Sequence, residues 1–354
     1  MSGGVDSSVA AALLLEEGYE VIGITMQIWQ KDQQDERNGG CCSLTAVNDA
    51  RRVADQLGIP YYVMNFRDLF AEKVIHYFIR AYQLGRTPNP CIACNRYIKF
   101  GAFLQKARSL EADFIATGHY ANVCYDQDIK RYLMYRADYK AKDQSYALYT
   151  MNQEQLSQTL FPLGKYTKPD IRKKAEQLGL LVANKPDSQE ICFVNDNDYR
   201  KFLSRQLSKQ EIKPGPFVNT KGDVLGQHQG IPFYTVGQRK GLGLALGYPA
   251  YVVALDPLRD SVVLGRDEEV FQQELLAADH NWIALDTLEG PLEVQAKIRY
   301  NAKAAPAVII PESEGRVRVK FLEPQRAITP GQAVVYYRDD LVIGGGTIDQ
   351  VIFQ

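Results

Sequence analysis

Ser2-Gly3-Gly4-Val5-Asp6-Ser7-Ser8 runs straight into SSVAAALLLEE, residues 7–17, an alanine- and leucine-rich stretch with the composition of a helix. This loop-to-helix junction decides how the rest of the chain is read. Adjacent glycines let a backbone approach phosphate oxygens, serine hydroxyls add donors, and the helix that follows offers unpaired N–H groups and a positive dipole end. Asp6 is a candidate ligand for a magnesium ion bridging the phosphates. The Gly-Lys-Ser/Thr of a Walker A loop is missing, which disfavours a kinase or GTPase. A lone Gly-Gly would read as a turn capping a helix; the full string reads as a phosphate loop.

Outward from the loop, Tyr19–Met26 (YEVIGITM) is a β-rich run. The alternation continues with a helix over roughly 43–57, the strand IPYYVMNF from Ile59, a long helix from about Asp68 to Leu84, another from about Phe100 to Leu110, and the strand DFIATGH from Asp113. Repeated units of this length predict an α/β domain with a parallel sheet and helices on both faces. Ligands of such sheets sit at the carboxyl ends of the strands.

Past about residue 195 the character changes. KPGPFVNTKGDVLG and GQRKGLG are rich in turn residues, and YVVALDPLRDSVVLG reads as a hairpin around Asp256 to Asp260. In LEVQAKIRY, apolar Leu292, Val294, Ala296, Ile298 and Tyr300 alternate with Glu293, Gln295, Lys297 and Arg299, the period of a half-buried strand. RVRVKF from Arg316 and QAVVYYRDDLVIGGG from Gln332 add strands, and a small barrel is the natural way to manage their edges.

The 354 residues suggest two or three domains. With 45% hydrophobic and 23% charged residues, neither disorder nor a fibrous class is indicated. No apolar run reaches membrane-span length. The start, MSGGVDSSVAAALLLEEG, has no basic stretch before its apolar run, so the expected location is the cytoplasm. A net charge of -1 gives no global sign of nucleic-acid affinity, so RNA contact must come from local patches. Arg172-Lys173-Lys174, Arg239-Lys240 and the Lys297/Arg299 pair are such clusters, each of which alone is more often a solvated face.

Six cysteines occur, at 41, 42, 91, 94, 124 and 192. In Arg86-Thr87-Pro88-Asn89-Pro90-Cys91-Ile92-Ala93-Cys94-Asn95, two prolines fix the backbone before a C-x-x-C with a helical segment after it. A thiol at a helix start is favoured as thiolate, a nucleophile or metal ligand. Asp187-Ser188-Gln189-Glu190-Ile191-Cys192-Phe193 places a lone cysteine in a polar turn between expected domains. Structural zinc would want two further ligands that the spacing does not supply.

The loop SGGVDSS resembles that of the N-type ATP pyrophosphatases, which cleave ATP between the α and β phosphates. Members of that class carry a strand ahead of the loop, so a shortened start is expected here. Taken together, SGGVDSS, GRTPNPCIACN, ATGHY, KDQSY, DSQEICF and GQRKGLG resemble the tRNA-specific 2-thiouridylases over essentially the whole chain. The resemblance implies an ATP-pyrophosphatase-type catalytic α/β domain (1–194), a central domain (195–268) and a C-terminal, tRNA-binding β-barrel (269–354). It implies 2-thiolation of the wobble uridine of tRNA by way of an adenylated base and a protein persulfide, with AMP and pyrophosphate released. It also implies ATP with Mg2+, tRNA engaged through its anticodon loop, a sulfur donor such as a cysteine desulfurase or sulfur-relay protein, no membrane, and a monomer.

Carried over residue by residue, the resemblance puts Met1, Ser2, Gly3, Gly4, Val5, Asp6, Ser7, Met26 and Gly118 at ATP. Met26 and Gly118 read on their own also as a core residue and a tight turn. Cys94 matches the nucleophile and Cys192 the persulfide carrier. Asn89, Pro90, Cys91, Lys142, Asp143, Gln144, Arg299 and Tyr300 match tRNA-contacting positions. Cys91 departs from the pattern, since many relatives carry aspartate there. With Cys91, Cys94 and Cys192, three thiolates could hold three irons of a four-iron, four-sulfur cluster. The persulfide route needs only Cys94 and Cys192 and is the first choice. His119 reads as a proton-transfer or phosphate group, or equally as a satisfied buried histidine. Cys41, Cys42 and Cys124 match no role.

Two other readings compete. An adenylating ligase or amidotransferase sharing the loop would not need Cys94 and Cys192. An RNA-binding module with a vestigial loop would not need Gly3, Gly4, Asp6 and Ser7.

Overall fold

The structure is a computed structural model that describes residues 1–28, 44–187, 191–194 and 198–353. The chain divides into two compact units, residues 1–74, 91–197 and 340–342 in the first and 75–90, 198–339 and 343–354 in the second. Among the described residues no helix is long and apolar enough to cross a membrane.

The first unit opens with helix α1, Val5–Glu16, whose Val9, Ala10, Ala11 and Leu13 are buried. Gly18, at φ 88°, ends it: its N–H and that of Tyr19 return to Leu15 O and Leu14 O, both at 3.0 Å. This αL closure keeps residues 19–22 out of the strand that the β-rich run predicts, so strand β1 is Gly23–Gln27. After helix α2, Leu44–Leu57, strand β2, Tyr61–Asn65, pairs with β1 in parallel, Gly23 opposite Tyr61 and Gln27 opposite Asn65.

The long helix expected over 68–84 is α3, Arg67–Phe70, and α4, Tyr77–Gln83, joined through a π-helical turn, Ala71–His76. The next helix starts earlier than expected, at Pro90: α5, Pro90–Ala93, passes through a second π-helical stretch, Cys94–Phe103, into α6, Leu104–Arg108. Proline suits a first helical position because its missing N–H would be unpaired there anyway, so the C-x-x-C lies within the helix.

Of DFIATGH, only Ile115–Ala116 is strand (β3). It is followed by a hairpin that the sequence analysis missed, β4, Ala121–Asp126, and β5, Arg131–Arg136, antiparallel with Asn122 opposite Tyr135. ANVCYD and RYLMYR mix polar and apolar residues on both faces, so no clean period of two advertises them. Helices α7, Ser145–Leu148, and α8, Gln153–Ser157, lead to strand β6, Thr159–Leu160, parallel to β3. Among the described residues of this unit the parallel strands thus form two pairs, β1/β2 and β3/β6.

Helix α9, Lys168–Gln177, packs on α1 through Ile171 and Ala175, in a core with Val5, Val9, Val53, Tyr120 and Leu163. Its start is rigid. Thr167 and Asp170 form a reciprocal capping box, and Pro169 occupies the first turn.

In the second unit, α10, Tyr199–Gln206, precedes a four-stranded sheet of β7, Gly215–Asn219, β8, Val224–His228, β9, Tyr251–Asp256, and β10, Ser261–Gly265, in the order β8-β7-β10-β9. The β9/β10 hairpin lies where DPLRD predicts it. Six further strands, β11 (Phe271–Trp282), β12 (Leu292–Lys297), β13 (Ala305–Pro311), β14 (Val317–Arg326), β15 (Ala333–Arg338) and β16 (Leu341–Ile352), run in the order β11-β14-β13-β12-β15-β16. They close as β11 pairs with β16, Leu275 opposite Val351 and Trp282 opposite Gly344. Closure removes exposed edges, as the alternating tail anticipates.

Glycines let this barrel close tightly. A Cβ on Gly346 would lie 2.7 Å from His280 Nε2, and one on Gly344 2.8 Å from Trp282 Cε3, against a stack of His280, Trp282 and Tyr336.

Along β14, Phe321 is fully buried and its neighbour Leu322 is 66% exposed. Phe321→Ala is therefore expected to destabilise the barrel by about 3–5 kcal/mol, from lost transfer energy and the cavity left behind. Leu322→Ala should stay within about 0.5 kcal/mol. Urea unfolding followed by fluorescence of Trp282 on the barrel wall checks both; equal midpoints for the two variants would contradict the register.

Candidate functional site

The loop before α1 is shaped by close approach. Gly3, at φ 67°, lies so near α2 that a Cβ would come within 2.2 Å of Ala46 O, so no other residue fits there. Gly4 is the N-cap in extended conformation with no side chain capping the helix. No side chain therefore caps the first turn of α1, the positive end of its dipole. The hydroxyls are internally satisfied: Ser2 N–H donates to Ser7 Oγ (3.0 Å), the Ser2 and Ser7 hydroxyls share a bond (3.1 Å), and Ser8 Oγ donates to Gly4 O (2.9 Å).

Met1 is tied to β1, its amino group donating to Ile24 O and its carbonyl accepting from Thr25 Oγ1 (2.6 Å). Gly118 lies against the loop's backbone, where a Cβ would sit 2.7 Å from Ser7 N and 2.8 Å from Asp6 C. Met26, near the end of β1, stands opposite Met64. All of these residues belong to the first unit.

Asp6 does not present an open carboxylate. Both its oxygens accept from Lys168 Nζ at 2.7 Å, and Oδ1 also accepts from Tyr120 OH at 2.7 Å. Burial and the adjacent Asp6 charge push the Tyr120 phenol well above its ordinary range. This donor set does not suit Asp6 to direct magnesium ligation. Lys168 also reaches Asp187 Oδ1 at 2.7 Å; Asp187 Oδ2 in turn accepts from Lys142 Nζ at 2.7 Å. Burial alone would raise the Asp187 carboxyl, but Lys142 and Lys168 hold it below the usual carboxylate range. Lys185 donates to Gly3 O (2.9 Å) and Asp49 (2.8 Å), bracing the loop from a second side.

The Lys142-Asp143-Gln144 turn is held by its own side chains. Asp143 is buried and accepts from Ala137 N, Ser145 N and Ser145 Oγ at 3.1, 3.2 and 2.9 Å. Gln144 Oε1 accepts from Tyr120 N at 3.0 Å.

Cys91 is exposed and Cys94 half-buried, the latter opening the π-helical stretch. Asn95 anchors that stretch by donating to Ala147 O (2.9 Å). Wide turns of this kind recur at functional sites, and this one carries Lys99 to 3.4 Å from His119 Nε2. An ammonium only donates, so Nε2 accepts and the Nδ1 proton faces Thr117 Oγ1 at 2.8 Å. Burial, then the Lys99 charge, depress the imidazole well below its ordinary value, so His119 is neutral. Cys192 lies exposed in a turn beside Phe193, whose ring packs on Phe70 at 5.9 Å. Residues 188–190 of the DSQEICF motif, Cys41 and Cys42 lie outside the described residues. Among the described residues no three His, Cys, Asp or Glu side chains gather as metal ligands. Cys91, Cys94 and Cys192 as arranged here do not form a cluster seat.

Asn89 and Pro90 fall in the second unit, where Thr87 N–H donates to Pro330 O (2.9 Å) and Gln332 donates to Thr87 O (2.9 Å). Arg299, also there, spends its guanidinium on Arg326 O and Ala327 O, while Tyr300 is 41% exposed with Lys297 Nζ over its ring at 5.5 Å.

The structure thus brings together Met1 to Ser7 and Gly118, and adds Lys168, Tyr120, Asp187, Lys185 and Lys99, none of which the sequence analysis assigned a role. One signal was available. Thr167-Lys168-Pro169-Asp170 reads as a helix start, and a lysine at the first helical position opposes the dipole, so carboxylates had to be near it.

Comparison with known proteins fits this geometry. Residues 1–196 match the tRNA methyl transferase HUP domain family, residues 200–266 the tRNA methyl transferase PRC-barrel domain and residues 272–348 the aminomethyltransferase beta-barrel domain. The tRNA-specific 2-thiouridylase MnmA of Acetivibrio thermocellus is 61% identical over 350 residues, 98% of this chain and 97% of that protein. That of Heliobacterium modesticaldum is 62% identical over 98% of this chain and 91% of its own. A solved U34-tRNA thiolase, NcsA from Methanococcus maripaludis with its 4Fe-4S cluster, covers 58% of this chain and 62% of its own at 20% identity and a TM-score of 0.35, too distant to bear on the chemistry. At these identities over nearly its whole length, the chain belongs to the tRNA-specific 2-thiouridylase family.

Proposed function

We propose that this chain replaces the carbon-2 oxygen of the wobble uridine of tRNA with sulfur, using ATP to activate the oxygen and a persulfide on Cys192 as the sulfur source. The observation that carries the reading is the uncapped helix start behind Gly3-Gly4, in the same compact unit as Cys94 and Cys192.

The uridine O2 attacks the α-phosphorus of ATP, the α–β phosphoanhydride bond breaks, and pyrophosphate leaves. The uncapped start of α1 and the glycine backbone stabilise the phosphate charge, and magnesium arrives as the counter-ion of ATP. The outer sulfur of the Cys192 persulfide then attacks carbon 2, and AMP leaves carrying the former uridine oxygen. The Cys94 thiolate attacks the inner sulfur, which leaves 2-thiouridine and a Cys94–Cys192 disulfide for an external thiol to reduce. A second order of events has Cys94 attack the persulfide first and release sulfide as the nucleophile.

Exposure of Cys192 suits loading by a cysteine desulfurase or sulfur-relay protein. Neutral His119, next in sequence to Gly118, accepts from the Lys99 ammonium, a cation that we assign to the phosphates. The target base must leave the anticodon stack to be reached, as single-stranded RNA loops allow. We assign tRNA contacts to Asn89, Pro90, Cys91, the backbone of the Lys142–Gln144 turn, and Tyr300. Arg299, bonded to carbonyls, would steady the barrel surface that presents Tyr300.

Incubation with ATP, magnesium, unmodified tRNA and a persulfide donor should yield AMP and thiolated tRNA together; AMP without tRNA thiolation would point to the adenylating-ligase reading. Asp6→Ala is expected to lower AMP formation by about 100-fold, the scale on which misplacing the reacting groups costs rate, because it removes the carboxylate that ties the loop to Lys168 and Tyr120. Its tRNA affinity should be unchanged in gel-shift titrations, and a parallel loss of affinity would count against a role confined to the phosphate site.

Cys94→Ser and Cys192→Ser are each expected to abolish thiolation. Cys91→Ser in iron-free protein should keep substantial activity, because its side chain is neither carrier nor resolving thiol. Turnover that appears only after iron–sulfur reconstitution and disappears in Cys91→Ser would replace the persulfide with a cluster.

A further inference from the structure

Asn89 and Pro90, assigned to the target base, sit at the end of a segment with little freedom of its own. The chain leaves α4 through a closed turn: Gly85, at φ 65°, donates its N–H to Tyr82 O (3.0 Å), and the Arg86 N–H returns to Ala81 O (2.9 Å). Such a closure sets the direction in which the chain departs. Beyond it, Thr87 and Asn89 each precede a proline, which confines both to extended conformations, and the prolines fix their own φ. Residues 87–90 are therefore a stiff rod that cannot bend to correct an error at its base.

The barrel grips that base. Thr87 N–H donates to Pro330 O at 2.9 Å, and Gln332 Nε2 donates to Thr87 O at 2.9 Å and to Pro88 O at 3.3 Å. Arg86 Nη2 pairs with Asp349 Oδ1, on β16, at 2.6 Å. Gly331, at φ 91°, permits the approach: a Cβ there would lie 2.9 Å from Arg86 Cβ and 3.0 Å from Thr87 N. The gripping turn is itself locked into the barrel, since Gly331 N–H donates to Ile348 O and Ile348 N–H to Gln332 O, both at 2.8 Å. It also joins the surface that presents Tyr300, because Thr329 Oγ1 (2.8 Å) and the Arg299 guanidinium (3.3 Å) share Ala327 O as acceptor. All of these residues belong to the second unit.

We propose that Gln332 and Arg86 are positioning residues for thiolation: with Asp349, they clamp residues 86–88 to the barrel and so set where Asn89 and Pro90 meet the wobble base. The inference rests on the reading of Asn89 and Pro90 as base contacts. Gln332 spends its amide on two backbone carbonyls and Arg86 an Nη2 on a carboxylate, so both act through the rod. Displacing reacting groups by about 1 Å costs on the order of 100-fold in rate, and a stiff rod passes a displacement at Thr87 on to Asn89.

The test uses the full-length protein and unmodified tRNA carrying 2-aminopurine next to the wobble uridine, so that withdrawal of the wobble base from the stack is read as a rise in emission. Gln332→Glu keeps the size of the side chain but turns a carboxylate toward two carbonyls, and Arg86→Met removes the ion pair. Each should lower the single-turnover thiolation rate by about 10-fold or more and shrink the emission change. Affinity for tRNA, affinity for ATP and Tm should stay at their wild-type values, whereas a merely structural role would move Tm. Arg86→Lys, which keeps the ion pair, should restore rate and emission. If either of the first two variants fails to fold, Asp349→Asn decides, since it weakens the same clamp while keeping shape. Variants with wild-type rate and emission would overturn the inference, as would a rate loss that follows tRNA affinity and so makes these side chains direct RNA contacts. Wild-type rate and emission in Asn89→Ala would instead remove the base-contact reading on which the inference rests.

Discussion

The Lys168 ammonium, enclosed between Asp6 and Asp187, constrains the whole first unit. A charge that far from water costs several kcal/mol unless it is paired and fully hydrogen-bonded, so the loop, the start of α9 and the approach to Cys192 have to converge on it. Asp6 comes from the first turn of α1, Lys168 from the first turn of α9, and Asp187 from the segment after it. Tyr120 adds its hydroxyl from the strand side. Two helix starts are thereby aimed at one place. An uncapped helix start next to a glycine loop suits phosphate, so the charge arrangement that fixes the fold also shapes the nucleotide site proposed here.

That arrangement alters how Asp6 is understood. An acidic residue inside a phosphate loop suggests a magnesium ligand when only the sequence is in view. Here the carboxylate is filled by a lysine and a tyrosine, and its chemistry is to neutralise and orient. The same shift applies to Gly118. Its close approach is to the loop backbone at Asp6 and Ser7, where a side chain would clash.

Local signals made part of this legible. Gly3 and Gly4 announced a close approach, the alternation of Val294 and Ala296 with Glu293 and Gln295 announced a barrel strand, and DPLRD announced a hairpin. The elements that were misplaced lacked such signals. Residues 19–22 look like strand but are bent away by the Gly18 closure, whose backbone form depends on the end of α1. The β4/β5 hairpin carries no clean alternation because both of its faces are partly covered. Pro88 and Pro90 read as a rigid loop, whereas Pro90 begins a helix with Cys91 and Cys94 already inside it. Which carboxylates meet Lys168 was not legible, because Asp6 and Asp187 are far from it in sequence and only the packing of α9 on α1 makes them neighbours.

The central claim is that ATP activates the uridine oxygen itself, and the fate of that oxygen tests it most directly. With tRNA carrying a heavy-oxygen label at carbon 2 of the wobble uridine, mass spectrometry of the released AMP should find the label in its phosphate, in proportion to the 2-thiouridine formed. Unlabelled AMP accompanying thiolated tRNA would mean that ATP is cleaved without adenylating the base, and would contradict the account.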